Sequence, residues 1–279
     1  MIIENDVLRL EVCAKGGEIQ SLKFKKTNYE VMWQGSAEHW TGKNPTLFPL
    51  VGNTYTKDYV IDGKTYAMKN HGLIRYATLE CVKKSHDEIT MELKSDENTL
   101  AQYPFEFTYQ IKYKLIDNRV IVSYFITNNS DKTMPFTFGL HPGFNVSDFS
   151  KSKLVYACPE ECTQIHIKDG VREEKVSFKE WPLSYTDIRN ASTIVYKDLK
   201  SPYVDLLMPE VNLRMSIEGY PILALWTSGV DSPFLCIEPW YGHGDFGPVN
   251  VPFEKREGMM SLSPNKSFTT SYWFEINEK

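Results

Sequence analysis

Three short segments hold the side chains best suited to moving protons or holding a metal: Asn70-His71-Gly72-Leu73-Ile74-Arg75, Gly139-Leu140-His141-Pro142-Gly143-Phe144 and Cys236-Ile237-Glu238-Pro239-Trp240-Tyr241-Gly242. In each, a histidine or glutamate stands against glycine or proline, where a strand ends or bends. Strand ends and their loops are where function concentrates. Histidine and a carboxylate titrate on either side of neutral, which suits general acid and base work. His71, His141 and Glu238 would also make a chemically reasonable metal-ligand triad. Plainer explanations compete with both. A histidine beside proline is commonly a satisfied turn or core residue. Glu238, flanked by Ile237 and Pro239, is costly to bury without a partner, and a structural ion pair with Arg75 would supply one.

Other familiar signatures fail. Gly63-Lys64-Thr65 imitates the end of a phosphate-binding loop, but Asp58 stands where the first glycine belongs. No G-x-G-x-x-G, G-x-S-x-G or H-E-x-x-H occurs. Cys158 and Cys162, followed by His166, have a C-x-x-x-C spacing without the second half that a zinc site needs. Nucleotide binding and serine-hydrolase chemistry therefore lack support.

The elements that must position the three segments read as strands. Phe105, Phe107, Tyr109, Ile111, Tyr113 and Leu115 alternate with polar residues, and Asp117-Asn118 turns the chain into a return run of Val120, Val122, Tyr124 and Ile126. Such alternation predicts a hairpin with one buried face. Asp62-Gly63 marks a second hairpin. Further period-two runs cover Ile89–Leu93, Val211–Ile217 and Phe268–Ile276. Helical signals are sparse, with one short helix expected from Asp96 to Tyr103, stopped by Pro104. Strands do not alternate with amphipathic helices, which argues against a parallel α/β fold. The expectation is an all-β sandwich of mostly antiparallel strands, with residues 1–279 forming one domain.

Bulk properties narrow the partners. The chain has 279 residues and a formal net charge of −5, with no basic run that would recruit nucleic acid. No stretch approaches the roughly 18 unbroken apolar residues of a membrane span. The amino terminus does not read as a signal peptide. Five scattered cysteines suit reduced thiols better than a disulfide framework. A cytoplasmic protein is expected. The aromatic content of 13% fits large sheets, and would also suit a site where rings pack on sugars.

Taken together, the motifs His71 to Arg75 (H-G-x-x-R), His141-Pro142 and Cys236 to Gly242 (C-x-E-P-W-x-G) resemble the aldose 1-epimerase family, and specifically its LacX-like branch. The stretches Met32-Trp33-Gln34-Gly35 and Pro45 to Gly52 are similar to that branch as well. The resemblance spans nearly the whole chain. It implies a galactose-mutarotase-like β-supersandwich, a small sugar as partner, and no metal or organic cofactor. It also implies roles: Glu238 as base at the sugar's O1, His141 as acid at the ring oxygen, and His71 polarising a hydroxyl. Arg75 would bind sugar oxygens or orient its neighbours, and Trp240 would stack on an apolar sugar face. The implied chemistry places the base and the acid on opposite sides of the ring acetal.

Two features depart from the family pattern. Asn53 stands where relatives often carry arginine after Val51-Gly52, which counts against a phosphate-bearing substrate. The family's usual aspartate contact has no clear counterpart, with Asp205 a loose candidate. His243 and Asp245 read as a loop wall. His39, His86 and His166 read as surface residues. The competing functions are a non-catalytic carbohydrate-binding protein on the same fold and a hexose-6-phosphate 1-epimerase. A metal-dependent hydrolase is a further rival, and a glycoside hydrolase would want a second well-marked acid.

Overall fold

Alternation along the chain translates directly into pairing. In the computed structural model, which describes residues 1–229 and 231–279, the strands Phe107–Ile116 and Arg119–Asn128 form the expected hairpin. Ile116 pairs with Arg119 across the two-residue turn, where Asp117 takes a left-handed φ of 51°. One face of both strands is buried and the other is partly exposed. Each fully buried large apolar side chain on such a face contributes about 1.5–3 kcal/mol relative to exposure. The Asp62-Gly63 turn likewise joins Tyr59–Ile61 to Lys64–Tyr66.

Fifteen strands build one antiparallel sheet that runs from Thr46–Leu47 at one edge to Glu80–Lys84 at the other. The half next to the first edge contains Phe138–Leu140, Phe234–Tyr241 and Ile222–Trp226. The other half contains Ser267–Asn277, Arg119–Asn128 and Phe107–Ile116. Between them runs the 14-residue strand Lys153–His166, irregular between Val155 and Glu160. It pairs with Tyr203–Leu207 through its first part and with Ile194–Lys197 through its last. The sheet curls so that its halves face each other. Phe138 meets Tyr124 at 5.0 Å between ring centroids, Phe144 meets Phe274 at 5.8 Å, and Phe48 meets Phe107 at 5.3 Å.

Helices are few. Glu97–Gln102 is the expected one, with Asp96 accepting from the Thr99 N–H in a reciprocal capping box. A second, Tyr185–Ala191, begins at Ser184, whose hydroxyl accepts from the Asp187 N–H. Alternation could not reveal it. No helix among the described residues is long and apolar enough to cross a membrane.

Candidate active site

The strand Phe234–Tyr241 is buried along nearly its whole length. Successive side chains therefore sort to two interiors. Leu235 and Ile237 join the main core, while Phe234, Cys236 and Trp240 belong to smaller clusters on the opposite side. Glu238 shares that second face, 1% exposed. It lies at the floor of a cavity of about 430 Å³. All six residues expected at the site line this cavity: Glu238, His141, His71, Arg75, Asn53 and Trp240.

His141 follows the strand Phe138–Leu140 and is 6% exposed. Its Nε2 lies 3.4 Å from Glu238 Oε1. The two groups therefore stand side by side. The reason is that their segments share a sheet, since the Ile237 N–H donates to Pro142 O at 3.3 Å and Gly139 pairs with Trp240. Burial drives the Glu238 carboxyl well above its ordinary value. The Trp240 indole N–H pulls slightly the other way, though it makes no well-formed hydrogen bond. Burial holds His141 well below its ordinary value, helped by the nearby His71 and Arg75. Both groups are thus pressed toward neutral forms. The pair then holds a single proton, which either partner can carry across the contact.

His71 owes its position to backbone that few residues adopt. Its φ is +67° and that of Gly72 is +76°. A Cβ at residue 72 would lie 2.3 Å from Phe48 O, so only glycine fits beneath that carbonyl. The segment it abuts is tied down by Thr137, whose Oγ1 accepts the Val51 N–H at 2.8 Å and whose N–H donates to Pro49 O at 2.9 Å. The His71 N–H donates to Gly52 O at 2.7 Å, and the Gly52 N–H donates to His71 Nδ1 at 3.0 Å. A ring that accepts at Nδ1 carries its proton on Nε2, so His71 offers one N–H donor. Burial, reinforced by Arg75, pushes its pKa down to about 3 and keeps it neutral. Arg75 sits in the single turn Ile74–Tyr76 and is the one cation among the described lining residues. It makes no ion pair with Glu238; the carboxyl's close ionisable partner is His141.

Two lining tryptophans were not legible beforehand. Trp40 stacks on His141 at 4.8 Å, and Trp226 meets it edge-on at 5.5 Å. Trp226 ends the strand Ile222–Trp226, just before a Thr-Ser-Gly turn. That strand-end position is the same signal that singled out the histidines. Trp240, by contrast, is 6% exposed and belongs to a small apolar cluster with Leu47, Val51 and Ile222.

The loop after Gly242 is a wall, as expected. Asp245 Oδ2 accepts the Tyr55 N–H at 2.9 Å and pairs with Arg256, and the Asp245 N–H donates to Asn53 O. His243 Nδ1–H donates to Gly244 O at 2.6 Å while its ring stacks on Phe246. Asp205 is no sugar contact. It forms a two-pronged pair with Arg214 at 2.7 and 2.9 Å and does not line the cavity. Of the remaining histidines, His86 is exposed, whereas His39 and His166 are half-buried, the latter against Glu174 at 2.9 Å. Among the described residues, the groups close enough to hold a metal are His141, Cys236 and Glu238, within 4.8 Å of one another, and His71 is outside that set.

The chain is similar to known proteins. The family model for aldose 1-epimerase matches residues 1–263. The LacX proteins of Lactococcus lactis subsp. lactis are 26% identical over 262 residues, covering 86% of this chain and 87% of theirs. A galactose mutarotase related enzyme from Lactobacillus acidophilus superposes with a TM-score of 0.94 at 28% identity, over 100% of this chain and 99% of that one. A galactose mutarotase-like protein from Lactobacillus casei gives 0.93 at 26% identity, over 99% of both chains. The fold is the galactose-mutarotase-like, mostly antiparallel β-architecture, and the chain belongs to the aldose 1-epimerase family.

Proposed function

We propose that this protein interconverts the α and β anomers of a free hexose or related aldose, with Glu238 and His141 as the acid–base pair. The single observation that carries the reading is the 3.4 Å contact between Glu238 Oε1 and His141 Nε2 at the cavity floor. The sugar's O1 and ring oxygen are bonded to one carbon. Neighbouring oxygens are best served by neighbouring groups.

The steps balance on the pair's one proton. With that proton on His141, Glu238 is the carboxylate and takes the O1 proton. The C1–O5 bond breaks and O5 receives the proton from His141. The pair is left in its neutral form, the one that burial favours. The open aldehyde turns about C1–C2. His141 then recovers the O5 proton, O5 attacks the other face of C1, and Glu238 returns its proton to O1. The His71 Nε2–H polarises a sugar oxygen, and Arg75 and Asn53 hold others. Trp40 and Trp226 flank His141 and offer rings for the apolar face of a pyranose. One lining cation is sparse provision for a phosphate, which favours an unphosphorylated sugar over its 6-phosphate.

The test is polarimetry of freshly dissolved single anomers of glucose, galactose and their 6-phosphates, with and without EDTA. The expected result is acceleration with a free sugar, undiminished by chelation. Sugar that raises the melting temperature without any acceleration would replace the reading by a binding protein. Activity lost on chelation and restored by a divalent ion would favour a metal at His141, Cys236 and Glu238, whose donors lie close enough for one.

A pH profile follows from the same pair. Activity needs one proton on it. The acid limb marks a second proton reaching His141, which burial holds well under the ordinary 6.5. The alkaline limb marks loss of the last proton from Glu238, held well above the ordinary 4.5. The expected kcat/KM is flat through neutrality and retained at about pH 5.5. Half-loss near 6.5 would mean that an ordinary, solvated histidine controls the rate.

A further inference from the structure

The proposed reaction leaves Cys236 unused, although its thiol lies beside the acid–base pair. Cys236 stands two residues before Glu238 on the strand Phe234–Tyr241, so both side chains project from one face. Across that strand it pairs with Gly143 on one side and Trp226 on the other. Cys236, Glu238 and His141 each offer one donor atom, and the three atoms lie within 4.8 Å of one another. We propose that this triad is a binding site for a thiophilic divalent cation such as zinc, and that occupancy switches the mutarotase off. The inference rests on the mutarotase reading and adds a mode of regulation at the same site.

Geometry and donor set both suit such an ion. Two bonds of about 2.0–2.1 Å at a tetrahedral angle hold nitrogen and oxygen roughly 3.3–3.4 Å apart. His141 Nε2 and Glu238 Oε1 already stand 3.4 Å apart. A thiolate bound at about 2.3 Å must come to roughly 3.6 Å from each, a shift of about 1 Å that side-chain rotation supplies. One thiolate, one carboxylate and a neutral imidazole around a divalent ion carry no net charge, which limits the cost of burial. His141 and Glu238 line the cavity and Cys236 does not. An ion entering from the cavity therefore seats against the sulfur and keeps its fourth position toward the opening. Sulfur selects zinc or cobalt over magnesium and calcium, which take oxygen ligands. The competing role for Cys236 is that of a small apolar residue packed with Trp33 and Phe234, which predicts no response to metal.

Occupancy stops the reaction because the ion takes the lone pairs that handle the proton. Seating it releases two protons to solvent, one from the thiol and one held by the pair. Glu238 can then take no proton from O1, and His141 has none to give to O5. No covalent bond of the protein or the sugar changes, so removing the ion restores activity.

The experiment strips the whole protein with EDTA, removes the chelator, and titrates Zn²⁺, Co²⁺, Mg²⁺ and Ca²⁺. Mutarotation is followed by polarimetry and binding by calorimetry. Zn²⁺ is expected to abolish the acceleration at one ion per chain, with recovery on adding EDTA. Mg²⁺ and Ca²⁺ at about tenfold higher concentration are expected to leave the rate within about twofold. Co²⁺ is expected to give the near-ultraviolet absorption of thiolate-to-cobalt charge transfer. Cys236→Ala is expected to keep metal-free mutarotation within about threefold, since the thiol moves no proton in the reaction. The same variant should need at least about 100-fold more Zn²⁺ for half-inhibition, beyond what loss of a supporting contact costs. The cobalt absorption is read on the unaltered protein, so it tests the site even if the variant misfolds.

Equal inhibition of Cys236→Ala, or a cobalt complex without the thiolate absorption, would put the ion elsewhere and overturn the proposal. So would a protein that binds no Zn²⁺, or one that Mg²⁺ inhibits as strongly. In each of these cases, mutarotation by the metal-free protein would leave the acid–base reading standing. A thiolate–cobalt complex in a protein that turns over no sugar would sink that reading, and the switch with it, while the cation site stood. A stripped protein that is inactive until Zn²⁺ is added would overturn both, because the ion would then be required.

Discussion

Glu238→Gln is expected to lower kcat by about 10³-fold, within the range for loss of a general base, and to stabilise the protein at alkaline pH. The amide keeps the shape of the protonated carboxyl but cannot take the O1 proton. The stability effect has a definite sign. Glu238 is 1% exposed, and its folded-state pKa is raised well above the ordinary 4.5. Below the unfolded-state value the group is protonated in both states and favours neither. As pH rises toward the folded-state value, the unfolded chain ionises first, and stability is lost. Glutamine escapes that loss. The melting temperature of the variant should match wild type at about pH 4 and exceed it increasingly toward about pH 8. Full activity in the variant would remove Glu238 as the base. A variant less stable than wild type at the higher pH would mean that a native carboxylate is stabilised here.

The second large effect is structural in origin and catalytic in consequence. Gly72→Ala is expected to cost about 2–4 kcal/mol of stability and to lower kcat/KM by more than tenfold. Alanine at φ +76° is strained, and its Cβ would meet Phe48 O at 2.3 Å. The backbone would have to move, and with it the mutual hydrogen bonds between His71 and Gly52. Gly63→Ala is the control. Its φ is +75°, but nothing lies within 4 Å of a Cβ there. Strain alone should cost about 1 kcal/mol at that turn, with activity unaffected. Chemical denaturation of both variants separates the close approach from the left-handed backbone. Equal losses would show that the Phe48 carbonyl yields at little cost.

The candidate metal triad bears on the same residues. Without a cation, burial presses both Glu238 and Cys236 toward their protonated forms. A metal would have to displace those protons, so its affinity would rise with pH. The chelation experiment therefore discriminates best on the alkaline side.

Much of this protein was legible in the order of its residues. Period-two alternation is a local property, and it located the Phe107–Ile116 and Arg119–Asn128 hairpin almost to the residue. The Asp62-Gly63 turn and the helix capped by Asp96 are equally local. Motifs on three distant segments pointed to Glu238, His141, His71 and Arg75, which share one cavity. What the tertiary structure alone decided is relative placement. That Glu238 and His141 touch at 3.4 Å follows from which strands neighbour one another in a fifteen-stranded sheet. Spacing along the chain carries no trace of that pairing. Trp40 and Trp226 likewise become site residues because the curled sheet brings loop and strand end over His141. Asp205 fell out for the complementary reason, since its cross-strand neighbour Arg214 claims both carboxylate oxygens. Local rules set strands and turns because they act between adjacent residues. The cavity is set by long-range pairing, and so are the proton affinities within it, because desolvation depends on everything that surrounds a group.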